Sequence, residues 1–231
     1  MSGRLLENRV ILITGATGAL GSVAARAAAD AGATVVLLGR KVRRLEALYD
    51  ALKARGAAEP ALYPLDLAGA GEDDYAELAA TLQRELGGLH GLIHAAAELG
   101  HLAPLAQVEA VRWQRQLQVN LTAPFLLTRA VLELMRASGG GRVIFVGDSA
   151  VAEGKPFWGG YGIAKLGLAS LAALFNAEAG SFGLHAEVYT PGPMRSPVRL
   201  CAYPGEELDC LPSPDTHAEP LLRLLAPATP R

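Results

Sequence analysis

The sequence has few cysteines, almost no excess charge of either sign and no long uninterrupted apolar run. Its two cysteines, Cys201 and Cys210, are too few for a disulfide framework or a set of zinc ligands, so no metal is expected. Basic residues number 21 and acidic residues 23, giving a net charge of −2 without a basic run, so no nucleic-acid partner is expected. Threonines and glycines interrupt the apolar stretch from Val10 to Ala25, which argues against a secretory signal or a membrane span. The expected compartment is the cytoplasm.

What the chain does contain is enough apolar sequence for a core and an excess of glycine. Its 231 residues are 51% hydrophobic, which suits one folded domain over residues 1–231 and excludes a disordered chain. The 26 glycines are above the usual level of about 7%. This excess indicates either many tight turns or a backbone that approaches another group closely.

Short apolar runs alternate with amphipathic helical stretches along most of the chain. Six runs predict strands buried on both faces: Val10–Thr14, Thr34–Leu38, Ala61–Leu65, Leu89–His94, Arg142–Val146 and Ala186–Tyr189. Five stretches predict helices: Ala19–Ala31, Val42–Arg55, Asp73–Leu86, Gln107–Met135 and Tyr161–Ala179. This alternation is typical of an α/β protein, a three-layer, doubly wound parallel sheet of about six strands (the Rossmann fold).

The alternation stops after Thr190, where prolines follow one another closely. A long irregular stretch of this kind is often functional, so residues 191–214 are predicted to form a lid on the substrate side. The alternative is a loosely ordered tail.

A glycine-rich turn joins the first predicted strand to the first helix and reads Thr14-Gly15-Ala16-Thr17-Gly18-Ala19-Leu20-Gly21. Glycines at such a turn let the backbone approach a pyrophosphate, whose charge is stabilised at the helix N-terminus. We therefore expect cofactor contacts at this turn from Gly15, Thr17, Gly18, Leu20 and Gly21. A purely structural turn is the alternative.

The end of the second strand indicates which dinucleotide is bound. NAD-binding proteins place an acidic residue about 20 positions after the turn, but here Gly39-Arg40-Lys41 contains no acid. The Arg40 guanidinium suits a 2′-phosphate, which predicts NADP(H) over NAD(H). Alternatively, the basic residues from Arg40 to Arg44 are a solvated helix start, although cations are unfavourable at a helix N-terminus.

Tyr161 and Lys165 are four residues apart and share one face of a predicted helix. An ammonium beside a phenol stabilises the phenolate, so the pKa of Tyr161 is expected to fall from its ordinary value of about 10. Such a phenol is a usable proton donor and acceptor near neutral pH.

Together these motifs resemble the short-chain dehydrogenase/reductase family, in order and spacing, over roughly residues 5 to 200. The resemblance implies an NAD(P)-dependent oxidoreductase that interconverts a small carbonyl compound and its alcohol. Tyr161 would be the acid/base, Lys165 would bind the nicotinamide ribose, and Asn120 would belong to a proton relay. It also implies cofactor contacts from these residues: Asp66, Leu67, Ala95, Tyr161, Lys165, Pro191, Gly192 and Ser196.

Pro124 follows Asn120 by four residues inside an apparent helix. Because proline has no N–H to donate, the Asn120 carbonyl loses its partner and the helix bends there. That carbonyl is then free to hold a relay water, although a proline kink without a role explains the sequence equally well.

The family's catalytic serine precedes the tyrosine by thirteen residues, and this position is Asp148. A carboxylate there would raise the pKa of Tyr161 and oppose Lys165. Either burial keeps Asp148 protonated, so that it donates a hydrogen bond, or the loop of residues 150–160 shifts by one residue and presents Ser149. The shift is favoured.

Two other segments depart from the family. His94-Ala95-Ala96-Ala97 replaces Asn-Asn-Ala-Gly, which removes a bracing asparagine and a glycine, and His94 is expected to be a packed strand residue. The C-terminal sequence Pro227-Ala228-Thr229-Pro230-Arg231 does not match the family's seventh strand, so six strands are expected. Because that strand supports one interface of the family's tetramers, we expect a homodimer through the long helices carrying Asn120 and Tyr161. Small residues of the second helix are expected to form this interface: Gly162, Ala164, Gly167, Ala169, Ala172 and Ala173.

The sequence leaves two classes of function open. Tyr161, Lys165 and Asn120 favour an NADPH-dependent reductase of a small carbonyl compound. Asp148 and Ala95 favour a catalytically impaired dinucleotide-binding protein that acts as a sensor or interaction module. A sugar-nucleotide epimerase fits the glycine spacing, but those enzymes carry a longer C-terminal substrate domain.

Overall fold

Six short strands form one parallel sheet in the computed structural model, which describes residues 4–151 and 154–227. The strands are β1 (Val10–Thr14), β2 (Thr34–Gly39), β3 (Ala61–Pro64), β4 (Gly91–His94), β5 (Gly141–Val146) and β6 (Leu184–Tyr189). The helices are α1 (Ala19–Asp30), α2 (Val42–Ala54), α3 (Glu72–Leu86), α4 (Ala110–Leu117), α5 (Ala123–Ala137), α6 (Gly159–Ala179), α7 (Pro197–Ala202) and α8 (Ala218–Leu225).

The strand order is β3-β2-β1-β4-β5-β6, which confirms the predicted doubly wound Rossmann fold. The order reverses between β1 and β4, which pair through Thr14 and His94 at their C-terminal ends. A crevice opens at such a reversal because the segments after the two strands turn to opposite faces of the sheet. The sheet has six strands in the described part of the chain, as expected. The prediction that a seventh strand is missing also used residues 228–231, which lie outside the described residues.

Alternating side chains of the strands build two apolar layers. Ile11 and Ile13 of β1 pack toward α1, α2 and α8, whereas Leu12 packs toward α3, α5 and α6. Every residue of β1 is buried, as expected for a central parallel strand covered on both faces. Removing one such large side chain would cost about 2–5 kcal/mol, so this core holds the C-terminal ends of the strands firmly.

The helix predicted from Gln107 to Met135 starts later than predicted and contains one wider turn. Leu105–Gln107 is a 3₁₀ turn, and α4 and α5 are joined without a break by a π-helical turn over Gln118–Thr122. Pro124 is the physical reason, since it cannot donate to the carbonyl of residue 120 and its ring crowds that carbonyl. The wider turn accommodates the proline.

The sequence after Thr190 is more regular than predicted. It contains α7 inside the predicted lid and α8 beyond it. Leu221 and Leu225 of α8 are buried against the layer of α1. The helix was missed because it is short and follows a proline-rich stretch.

His94 is a packed strand residue, as its sequence context indicated. Its ring stacks on Phe145 with the centroids 5.0 Å apart, and its Nε2 lies 2.9 Å from the Thr128 hydroxyl. Burial, with the nearby Lys165 charge, lowers the pKa of His94 to about 3. The imidazole is therefore neutral in the folded protein at pH values where the unfolded chain binds a proton.

This pKa difference predicts an acid-dependent loss of stability. Below pH 6.5 the unfolded state binds a proton that folded His94 does not, so the free energy of unfolding should fall with pH by up to about 1.4 kcal/mol per unit from this group. Urea unfolding at pH 4.5 to 7 should show a shallower pH slope for His94→Asn than for the wild type. The exposed His185→Asn variant serves as the control and should keep the wild-type slope.

The same residue offers a second readout if His94→Asn does not fold. NMR of the wild-type imidazole should show no protonation of His94 between pH 7 and 4.5. Titration of His94 near pH 6.5 would contradict the prediction.

Candidate active site

A cavity of about 370 Å³ opens at the C-terminal edge of the sheet, where the segments after all six strands meet. Cavities of this size hold small-molecule ligands. Most of the residues predicted for the site line it: Gly15, Thr17, Gly18, Leu20, Arg40, Asp66, Leu67, Ala95, Asp148, Ser149, Tyr161, Lys165, Pro191, Gly192 and Ser196. Gly21 and Asn120 do not line it and have other contacts.

The glycine turn lies at one end of the cavity and is sterically demanding. Gly15 has a φ of +62°, and a Cβ there would stand 2.6 Å from the backbone of Ala96. A Cβ on Gly21 would stand 2.2 Å from the Gly15 carbonyl oxygen, so Gly21 permits close packing of the turn on α1 instead of a ligand contact. The first turn of α1 lines the cavity, and its N-terminus has no side-chain cap. Its amide groups therefore present a site suited to an anion.

A basic rim flanks this turn. Arg40 follows β2, and Lys41 and Arg44 at the start of α2 also line the cavity, so these cations border the cavity and are not only a solvated helix start. Asp66 lies across from them after β3 and accepts a hydrogen bond from the Ala68 amide at 3.1 Å. The rim is thus mainly cationic, with Asp66 as its carboxylate on the β3 side.

The alanines that replace the family's Asn-Ala-Gly fit without strain. The Ala96 amide donates to the Thr14 hydroxyl at 3.3 Å, which joins this segment to the end of β1. Among the described non-glycine residues, positive φ occurs only at Asn8 and Phe157, so Ala97 occupies an ordinary backbone conformation. Alanine in place of the family's glycine at position 97 therefore does not strain the backbone.

Tyr161 and Lys165 lie on the buried face of α6 at the middle of the cavity. Tyr161 is 2% exposed, and its hydroxyl donates a hydrogen bond to Asp148 Oδ2 at 2.7 Å. Lys165 Nζ donates to the Val146 carbonyl at 2.7 Å and lies 5.6 Å from the centre of the Tyr161 ring. The carbonyl at the end of β5 thus fixes the ammonium beneath the phenol.

This contact contradicts the favoured prediction, in which the loop shifts by one residue and presents Ser149 to Tyr161. Asp148 takes the position thirteen residues before the tyrosine, whereas Ser149 begins a 3₁₀ turn over Ser149–Val151. The carboxylate also stabilises that turn, because Asp148 Oδ1 accepts from the Ala150 amide at 2.8 Å. One carboxylate therefore both caps the loop and contacts the phenol.

The pKa of Tyr161 moves in the direction opposite to the one expected from Lys165. Burial, and then the charge and hydrogen bond of Asp148, raise the pKa of Tyr161 well above 10. Burial also lowers the pKa of Lys165 to about 8, against the opposing attraction of Asp148. The phenol therefore stays protonated at neutral pH, and desolvation outweighs the nearby ammonium.

Asn120 braces the loop after β4 instead of facing the cavity. Its Oδ1 accepts from the Glu98 amide at 3.2 Å, and its Nδ2 donates to the carbonyls of Glu98 at 2.9 Å and Gln116 at 2.8 Å. The side chain is 1% exposed, so these bonds satisfy it in a dry environment. A relay role for Asn120 stays a prediction.

The segment after β6 forms the wall opposite the glycine turn. Ser196 accepts from the Arg199 amide at 3.1 Å and so caps α7, in addition to lining the cavity. Several residues of this wall lie inside the predicted lid but have no recognisable motif, so the sequence did not single them out: Val198, Arg199, Ala202 and Tyr203. The Trp158 ring lies 5.7 Å from that of Tyr161 and 6.2 Å from that of Tyr203. This end of the cavity is therefore mostly apolar and aromatic.

The part of the chain that the structure describes gives no support for a metal site or a membrane-spanning helix. No three histidine, cysteine or carboxylate side chains there are grouped as metal ligands. No described helix has the length and apolarity needed to cross a membrane.

A switch-point cavity with a glycine turn at one end defines the dinucleotide-binding class of α/β proteins. The short chain dehydrogenase family model matches residues 9–203. The uncharacterized oxidoreductase YciK of Escherichia coli K12 is 31% identical over 210 residues, which are 91% of this chain and 83% of YciK.

Solved structures agree with this match. A Pseudomonas syringae protein assigned as a short chain dehydrogenase has a TM-score of 0.93 at 37% identity, over 97% of this chain and 92% of that one. An Escherichia coli CFT073 protein, also assigned as a short chain dehydrogenase, was solved in complex with NADPH. It has a TM-score of 0.92 at 30% identity, over 98% of this chain and 94% of that one. The chain therefore belongs to the short-chain dehydrogenase/reductase family, and it is an oxidoreductase.

The contact between Asp148 and Tyr161 generates a direct test. Asp148→Ser removes the carboxylate whose charge and hydrogen bond raise the pKa of Tyr161, so this pKa should fall. Carbon-13 NMR of ζ-labelled tyrosine, assigned with Tyr161→Phe, measures the titration. Ser149→Ala is the neighbouring control and should leave the titration unchanged. Equal titrations for Asp148→Ser and the wild type would contradict the assignment.

Proposed function

We propose that the protein is an NADP(H)-dependent reductase of small carbonyl compounds, with Tyr161 as the proton donor. The observation that carries this proposal is the buried Tyr161 hydroxyl above Lys165, in the same cavity as the glycine turn. A phenol next to an ammonium can deliver a proton to an oxygen that gains charge.

The residues of the cavity fit a dinucleotide. The Gly15–Gly18 turn and the N-terminus of α1 would hold its pyrophosphate, Asp66 and Leu67 its adenine side, and Lys165 its nicotinamide ribose. Ala95, Pro191 and Gly192 would line its remaining length. When bound, NADPH supplies the hydride.

Arg40 supports a preference for NADP(H) over NAD(H). It stands at the rim with Lys41 and Arg44, where a 2′-phosphate would meet three cations. A guanidinium binds phosphate with paired, charge-assisted hydrogen bonds. The NADPH complex of the Escherichia coli CFT073 protein agrees with this preference.

The protonation of Tyr161 favours reduction over oxidation. Carbonyl reduction needs a protonated phenol, and the raised pKa of Tyr161 keeps the proton in place at neutral pH. Alcohol oxidation needs the phenolate, which forms only at strongly alkaline pH. Asp148 thereby favours carbonyl reduction over alcohol oxidation. It also accepts the hydrogen bond from the Tyr161 hydroxyl, so it competes with the substrate oxygen for that hydrogen.

The apolar end of the cavity indicates the chemical character of the substrate. Trp158, Val198, Ala202 and Tyr203 surround the space beyond Tyr161. Arg199 on the same wall is paired with Glu206, and the carboxylate of Asp148 would repel an anion there. The substrate is therefore a small, uncharged ketone or aldehyde with an apolar body. We propose residues 191–214 as a substrate-side lid because they supply this wall.

The alternative function is a sensor or interaction module that binds the dinucleotide without efficient turnover. The hydrogen bond from Tyr161 to Asp148 favours it, since the proton donor is already engaged. The two functions differ in turnover and not in binding.

Oxidation of NADPH with a panel of small uncharged ketones and aldehydes separates them. We expect turnover by the wild type, tighter fluorescence-detected binding of NADPH than of NADH, and a loss of about 100-fold or more in rate for Tyr161→Phe with binding retained. Tyr49→Phe, at a half-buried tyrosine of α2 that does not line the cavity, is the control. The oxidation of the corresponding alcohol should increase with pH, and this increase should shift to lower pH in Asp148→Ser.

Three results would count against the reductase. Activity that survives Tyr161→Phe would exclude Tyr161 as the acid, and tighter NADH binding would exclude the role of Arg40. Binding of NADPH without turnover of any carbonyl would establish the sensor function.

We also propose a two-fold dimer through α5 and α6. Gly162, Ala164 and Ala172 of α6 are buried inside the protomer, so the small residues expected at the interface are partly used within it. The outer surface instead exposes larger apolar side chains, at Phe125, Ile163, Leu166 and Leu174. Both helices cover the same face of the sheet, and a second copy would bury this apolar surface.

Sedimentation equilibrium at micromolar concentration should show a dimer. Leu174→Glu places a charge in the proposed interface and should give monomers, whereas Leu5→Glu, at an exposed leucine outside these helices, should not. A wild-type monomer or a stable tetramer would contradict this assembly.

The cytoplasm stays the proposed compartment. Both cysteines are exposed and free, which suits a reducing environment.

A further inference from the structure

The loop after β4 brings a carboxylate to the basic rim of the cavity. Glu98 lines the cavity, and its Oε2 lies 3.6 Å from Arg40 Nη1 and 3.6 Å from Arg115 Nη2. Its side chain is 24% exposed, compared with 51% for Arg40. The Arg40 that is proposed to hold a 2′-phosphate is thus already paired with an anion of the protein.

The pair of Arg40 and Glu98 spans the cofactor crevice. Arg40 follows β2 and Glu98 follows β4, and these strands flank β1 on its two sides. The glycine turn begins at the end of β1, so the ion pair crosses the space in front of it. This is the switch-point crevice in which ligands bind in doubly wound sheets.

The backbone of Glu98 is fixed, but its carboxylate is not. The buried amide of Asn120 holds both the N–H and the carbonyl of Glu98. Movement of the loop would break these bonds in a dry environment, which is costly. Within residues 4–151 and 154–227 the carboxylate forms only ion pairs of 3.6 Å with half-exposed arginines, a loose geometry that rotates apart easily.

The charges around Glu98 make it a competitor for Arg40. Lys41 and Arg44 face the same rim, and Arg115 approaches from α4. A 2′-phosphate that enters this rim meets the cations and also the like charge of Glu98. A 2′-hydroxyl carries no charge, so it escapes most of that repulsion.

We propose that Glu98 is a specificity-determining residue that occupies Arg40 in the free protein and must release it before a 2′-phosphorylated dinucleotide binds. Glu98 therefore weakens the binding of NADP(H) more than that of NAD(H). It reduces the preference for NADP(H) over NAD(H) that Arg40 creates. This inference rests on the proposed dinucleotide site.

Fluorescence titration of the full chain with NADPH and with NADH tests it. Glu98→Gln keeps the shape of the side chain and should tighten NADPH binding about fivefold or more, with a change of less than about twofold for NADH. Because the competition is electrostatic, the gain should shrink between 20 mM and 500 mM salt. Glu59→Gln removes a matched ion pair with Lys53, 3.3 Å away outside the cavity, and should change neither affinity.

A double-mutant cycle isolates the contact with Arg40. In an Arg40→Gln background the Glu98→Gln substitution should tighten NADPH binding by less than half of its effect in the wild type. An undiminished gain would show general repulsion and overturn the pairing. Unchanged NADPH affinity in Glu98→Gln would overturn the inference while the proposed function stands. A wild type that binds neither dinucleotide would overturn both.

Discussion

The site depends on how closely β1 and β4 approach each other at their C-terminal ends. Thr14 and His94 are paired, and one residue later the Gly15 turn lies so near Ala96 that a side chain at position 15 would overlap the backbone. This steric limit sets the floor of the crevice. Because the strands before and after it are held by a dry apolar core, the cationic rim, the phenol and the wall of α7 all face the same space.

Desolvation, more than any single charge pair, governs the protons of this site. Burial is the largest cause of the pKa shifts of His94, Tyr161 and Lys165, and it favours the neutral form of each. Asp148 reinforces the effect at Tyr161 and opposes it at Lys165. A serine in the place of Asp148 would leave the dry environment intact and remove only the charge. The chemistry of the protein is therefore set by which groups are buried together.

The sequence predicted what local patterns determine and missed what long-range packing determines. The sheet and the glycine turn follow from short apolar runs and from backbone sterics, so they could be located without a structure. The choice between Asp148 and Ser149 depends on a loop whose path no local pattern sets. Glu98 and the aromatic wall around Trp158 gain their meaning only from partners far away in the chain. Pro124 predicts a distortion of the helix, but the form of that distortion, a wider helical turn, depends on the surrounding packing.

The position of α8 has a consequence for how the polypeptide matures during synthesis. Leu221 and Leu225 close the apolar layer over strands that were made some two hundred residues earlier, and Arg142 of β5 donates to the carbonyl of Ala226. A chain still growing on the ribosome therefore carries a nearly complete cofactor crevice above an open apolar surface. That surface is the kind that chaperones bind, and it persists until α8 has left the ribosome and packed.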